Sequence, residues 1–166
     1  HQQPLYLVLP AVVLTGGLAG AFTGIIHTKL KINALLAGIL VMTALYSVNL
    51  SIMGRSNLPL IGTSSLFTLL NISVDINHNT FWILLLFVVI VTLIIGYLLK
   101  TDFGIAMRAT GNSESMVRAL GVNTDRMKII GLALANALTA TSGYLMTQFQ
   151  GFADINMGIG IVLFGL

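Results

Sequence analysis

Long apolar runs alternate with polar stretches along this chain. Segments 5–26, 32–54, 81–99 and 129–150 contain no Lys, Arg, Asp or Glu. Each is close to the roughly 20 residues a helix needs to cross a bilayer. None alternates apolar and polar positions with period two, which argues against barrel strands. Hydrocarbon offers a backbone N–H or C=O no partner outside its own segment, so each run is predicted as a helix. A further apolar run starts at Met157, where a fifth span is predicted to begin. The chain opens on His1 with no basic, signal-like leader, and it stops inside that last run. The expectation is an all-α polytopic transmembrane helix bundle, with residues 1–166 forming part of one membrane domain of a longer protein.

Composition agrees with the pattern. Of the 166 residues, 56% are hydrophobic and 8% charged, against about 25% charged in soluble domains. The net charge of +3 is too small for a nucleic-acid binder, and with no cysteine there is no disulfide framework or thiolate metal site.

The placement of charge says more than its sum. Seven of the eight basic residues lie in the short connection 27–31 and the long polar segment 100–128. The positive-inside rule puts both on the cytoplasmic side. Arg55, the neutral segment 55–80 and the turn 151–156 then face outward. Within 55–80, the apolar stretch 64–70 is predicted as a short interfacial helix capped by Thr63. The sequon Asn71-Ile72-Ser73 is best explained by chance. Asp154 and Asn156 fit either a polar turn or an outer gate. His27 and His78 sit in predicted loops as solvated side chains.

Three features within the runs invite a closer reading. Gly16, Gly20 and Gly24 fall four apart on one helix face, a spacing that lets helix backbones approach closely. The face serves either static packing or a sliding interface. Pro10, near the outer end of the same run, is expected to kink it. Asn136, Thr139, Gly143, Thr147 and Gln150 are spaced three, four, four and three apart and share another face. Polar groups at membrane depth are costly, so this stripe either lines a substrate pathway or makes hydrogen bonds between helices. Thr43, Tyr46, Ser47 and Asn49 are a weaker candidate of the same kind. No charged residue lies inside a run, which disfavours coupling to a proton or sodium gradient.

The polar segment 100–128 carries the most specific pattern. Asn112 or Ser113 can cap a helix, Glu114 suits its first turn, and Gly121 suits its end. A helix of about two turns is predicted over 113–120. At this length it is unstable alone in water, and Met116, Val117, Ala119 and Leu120 have no lipid to face. It therefore calls for a partner protein. Arg108 is read as a charge facing lipid headgroups, and Arg118 as a contact for that partner. Asn123 or Thr124 caps the chain into the last run.

The pattern Thr101-x-Phe103-Gly104-x-x-x-Arg108-Ala109-x-Gly111-Asn112, followed by Leu120-Gly121-Val122 and the helix 128–143, resembles the branched-chain amino acid and ribose permease superfamily of ABC importers. Segments 35–54 and 116–125 look most like permeases paired with tryptophan/tyrosine-type substrate-binding lipoproteins. The resemblance implies a multi-pass permease of the inner membrane that moves a small solute, an amino acid in the first instance, by alternating access. It implies that residues 112–121 (Asn112, Ser113, Glu114, Ser115, Met116, Val117, Arg118, Ala119, Leu120, Gly121) form the coupling helix that docks on a cytoplasmic ABC ATPase. It implies a second permease copy, an extracytoplasmic substrate-binding protein, and ATP with Mg in the partner rather than a cofactor in this chain. The family's alanines in the coupling helix are replaced here by Ser115 and Met116. The chain itself is expected to be no enzyme, because it has no P-loop, no paired carboxylates in a span and no metal-ligand cluster. An ion-coupled secondary carrier and a membrane-assembly subunit that moves nothing are the alternatives.

Overall fold

A computed structural model describes residues 5–59, 79–156 and 158. The elements run α1 (Leu5–Leu30), α2 (Ala34–Met53), β1 (Asn57–Pro59), α3 (Asn79–Lys100), α4 (Asp102–Asn112), α5 (Glu114–Ala119), α6 (Thr124–Gln150) and β2 (Phe152–Asp154). Among the described residues three helices, α1, α2 and α6, are long and apolar enough to cross a membrane. The number rises to four if α3 and α4 count as one broken span. The expected interfacial helix at 64–70, the sequon, His78 and the run beyond Met157 lie outside the described residues.

Two compact units divide the chain, one of 1–63 with 132–166 and one of 64–131. In the first, α1 packs along α2. α2 starts where the Asn33 side chain accepts a hydrogen bond from the Leu35 amide (3.0 Å), an N-cap of the usual kind. α1 continues through Pro10 and runs four residues past the expected boundary. His27, expected in a loop, is therefore helical. Its Nδ1 donates to the Ile32 carbonyl at 2.6 Å, across the turn into α2. The imidazole satisfies a backbone carbonyl of the connection that would otherwise need another partner.

Glycine spacing on α1 meets alanine spacing on α6. A Cβ at Gly16 would lie 2.5 Å from the Ala140 Cβ and 2.9 Å from the Asn136 carbonyl oxygen. A Cβ at Gly20 would overlap the Leu132 carbonyl and sit 2.8 Å from the Ala133 Cα. The two backbones are thus nearly in contact, an arrangement open only to small residues. Gly24 is also buried, and its carbonyl accepts from the Thr28 hydroxyl.

A two-stranded antiparallel ribbon was not foreseen in an all-helical chain. Asn57 pairs with Asp154, Leu58 with Ala153 and Pro59 with Phe152. The Ile155 amide extends the ribbon to the Ser56 carbonyl (3.1 Å). It ties the C-terminal end of α2 to that of α6. Asp154 serves the turn locally, accepting from the Asn156 amide at 2.8 Å.

In the second unit, the stretch expected as polar loop around one short helix is mostly helical. α3 gives way to α4 through a 79° bend. The Thr101 hydroxyl donates to the Leu98 carbonyl (2.6 Å) and accepts from the Gly104 amide (3.3 Å), ending one helix while capping the next. Gly104 lies so close to the end of α3 that a Cβ would overlap the Leu98 carbonyl and come within 2.5 Å of the Leu99 Cα.

Gly20→Val is expected to lower the thermal unfolding midpoint of the detergent-solubilised protein, with an overpacking cost of about 1–3 kcal/mol. Gly38→Ala, where a Cβ would meet nothing within 4 Å, should leave the midpoint in place. Equal effects of the two substitutions would contradict the packing described.

Candidate functional site

Two places bring together residues singled out by the sequence. The first is a cleft of about 410 Å³ in the first unit, bordered by α1, α2 and α6. Asn136, Thr23, Tyr46 and Asn49 supply its polar lining, and Gly38, Val41 and Leu132 part of its apolar lining. Of the five-residue stripe on α6, only Asn136 lines it. Thr139, Gly143 and Gln150 are exposed, and Thr147 is half-buried. The stripe also makes no hydrogen bonds to other helices among the described residues. Asn136 donates to the Leu132 carbonyl (3.0 Å), Thr139 to Ala135 (3.0 Å) and Thr147 to Tyr144 (2.7 Å), all within α6. A hydroxyl that bonds back to its own helix needs no partner elsewhere. The weaker candidate on α2 contributes more to the cleft than expected, through Tyr46 and Asn49.

The second place is the junction of α5 with the start of α6. Ser113 separates α4 from α5 with an extended backbone (φ −151°) and makes no side-chain cap bond, contrary to the expectation for Asn112 or Ser113. Asn112 is the last residue of α4. The Ser113 amide closes α4 on the Ala109 carbonyl (2.9 Å), while its carbonyl opens α5 by accepting from Val117 (3.2 Å). One residue serves both helices, so the predicted span 113–120 shortens to 114–119.

The far end of α5 follows from Gly121. Its φ of +84° lies in the left-handed region that favours glycine. The Gly121 amide bonds to the Arg118 carbonyl (3.0 Å) and the Val122 amide to the Val117 carbonyl (3.3 Å). These are the two bonds of a Schellman stop. The Asn123 side chain then caps α6 by accepting from the Arg126 amide (3.1 Å). α6 thus starts five residues before the apolar run that announced it.

Charged side chains bridge the junction. Glu114 accepts from Lys128 Nζ at 2.6 Å and from Arg118 Nη2 at 3.2 Å. Arg118 also reaches Asp125 at 3.2 Å. Thr124, 1% exposed, sits at the centre. Its hydroxyl accepts from Arg118 Nη2 (2.9 Å) and Nε (3.2 Å) and donates to Glu114 (3.3 Å). Thr124 is therefore part of the network rather than the helix cap. Glu114 is held below the ordinary carboxylate range, first by the Lys128 hydrogen bond; the nearby Lys128 and Arg118 charges and the Thr124 hydroxyl act in the same direction, against some loss of hydration. Arg118, read from sequence as a contact for a partner, bonds within the chain through Nε and Nη2 while its side chain stays 61% exposed. Arg108 is exposed on α4.

The opposite face of α5 is apolar and open. Met116 is 66% and Leu120 73% exposed, with Ser115 and Ala119 exposed beside them, while Val117 is buried. Sequence reasoning found this helix but missed the network that holds it. Glu114 and Lys128 are fourteen residues apart on different helices, a spacing no helical period announces.

Among the described residues, three long apolar helices define a multi-pass membrane protein. A family model described as "Branched-chain amino acid transport system / permease component" matches residues 1–166, and the chain belongs to that family. It is 44% identical over 164 residues to a tyrosine transport system permease protein of Clostridioides difficile, covering 99% of this chain and 53% of that protein. It is 29% identical over 171 residues to the ribose import permease protein RbsC of Haemophilus influenzae (98% and 50%). It is 28% identical over 156 residues to the autoinducer 2 import system permease protein LsrC of Yersinia enterocolitica (90% and 40%). The chain spans about half the length of the curated relatives it matches most strongly. No solved structure matches it.

Because Glu114 ionises more readily in this network than in an unfolded chain, its contribution to stability is present above the ordinary carboxylate range and is lost as pH falls through the depressed value. Amide hydrogen exchange over 114–122 should therefore lose protection on acidification. Glu114→Gln should start less protected at neutral pH and show a smaller acid step. An identical acid step in the variant would contradict this role for Glu114.

Proposed function

We propose that this chain is the membrane-spanning permease of an ATP-binding cassette importer. It carries a small solute, an amino acid and by similarity to the tyrosine permease an aromatic one, by alternating access. ATP with Mg is bound and hydrolysed in a separate cytoplasmic ATPase. A second permease copy completes the pathway, and an extracytoplasmic binding protein delivers solute to the outer face.

The observation that carries this reading is the open apolar face of α5. Glu114, Arg118, Asp125, Arg126 and Lys128 lie on or beside this helix, and so many charges cannot be immersed in hydrocarbon. α5 therefore sits outside the lipid, where exposed Met116 and Leu120 require a protein surface. Glu114 and Arg118 are turned to α6, leaving Ser115, Met116, Ala119 and Leu120 for the ATPase. The cleft around Asn136, Tyr46 and Asn49 is the part of the solute pathway that these residues supply. Its neutral polar groups suit a solute that must be released as readily as it is held.

Met116→Asp and Leu120→Asp, introduced into the complete permease, should each reduce co-purification of the ATPase by roughly ten-fold or more, the loss expected for one interface hot spot. Uptake should stop with them. Solute uptake that continues after ATP depletion, while an ion gradient is maintained, would contradict the importer reading and favour a secondary carrier.

A further inference from the structure

We infer that Glu114, Arg118, Thr124 and Lys128 are positioning residues that make α5 and the first turns of α6 one rigid body, so that a displacement of α5 is delivered to α6. This rests on the importer reading, which makes α5 the docking element.

Beyond its packing on α4 and the burial of Val117, the geometry leaves α5 little else to hold it. It has six residues, fewer than the roughly 12 at which an isolated helix becomes even marginally stable in water. It is joined to α4 through the single extended residue Ser113. It is joined to α6 through residues 120–123, which contain the left-handed turn at Gly121. A cleft of about 360 Å³, lined by Arg118, Gly121, Asn123 and Asp125 among others, lies beside that connection. Left to itself, a push on α5 would rotate it about these two joints.

The network closes the α6 joint. Lys128 lies one turn into α6 from Thr124 and reaches back across the connection to Glu114 at 2.6 Å. Arg118 spans the same gap to Thr124 and Asp125. An exposed ion pair alone is weak. Here several bonds converge on a threonine that is almost fully buried, and networks of this kind hold geometry better than isolated pairs. α5 packs against α4, but among the described residues no side-chain hydrogen bond joins the two, and the directional bonds that leave α5 go to α6. α6 also carries Asn136 at the cleft and the alanine face that meets Gly16 and Gly20.

The test uses the complete permease with its ATPase in proteoliposomes, reading solute taken up per ATP hydrolysed. In Glu114→Cys/Lys128→Cys the ratio should fall about five-fold, the low end of coupling between sites, while the ATPase stays bound. A reducible bis-thiosulfonate linker spanning the two cysteines should restore it, and a thiol reductant should abolish it again. Lys128→Arg should keep the native ratio. The inference is overturned if the double variant keeps the native ratio without the linker, if the linker restores nothing, or if the variant sheds its ATPase. A native complex that takes up no solute with ATP would refute the importer reading itself, and that result is seen before any substitution.

Discussion

In hydrocarbon a polar group that finds no partner in the protein finds none at all, and the described helices meet this constraint one helix at a time. Every threonine of α1 and α2, and every threonine of α6 after Thr124, bonds to a carbonyl of its own helix. Asn136 does the same. The Tyr144 hydroxyl is the buried exception, with no partner among the described residues. Because the polar groups are satisfied internally, what holds α1 against α6 is close approach of small residues rather than directional bonds. Such an interface is tight yet has no register of hydrogen bonds to break when one helix moves along another.

Beyond the apolar runs the physics reverses. Charged side chains gather there, and the short helix α5 is joined to α6 by directional bonds. The junction is thus held by bonds of defined length and partner, and the α1–α6 interface by close Gly–Ala contact. α6 belongs to both regimes. Its first turns hold Thr124, Asp125 and Lys128, and its middle presents Ala133, Ala137 and Ala140 to α1.

Much of this was readable from sequence where the cause is local. Charge-free length gave the helices, Gly121 gave the end of α5, and the four-residue glycine spacing marked the face that meets α6. Resemblance of the segment after Thr101 to a permease family agrees with the family match. What sequence did not reveal is non-local or hidden by polarity. α4 was missed because its eleven residues carry too much charge and glycine to stand out, and the 79° bend depends on Gly104 fitting against the end of α3. The ribbon pairs residues almost a hundred positions apart. The polar stripe of α6 shares a helix face, yet its hydroxyls turn to their own backbone, and only Asn136 reaches the cleft.

The central claim is that α5 lies in the cytoplasm with Met116 and Leu120 against an ATPase. Cross-linking from a photoreactive residue at position 120 in intact cells tests it most directly. A single adduct with the ATPase subunit, abolished by Met116→Asp, is the result this account predicts. Labelling of position 120 by a membrane-impermeant reagent from outside the cell would contradict it.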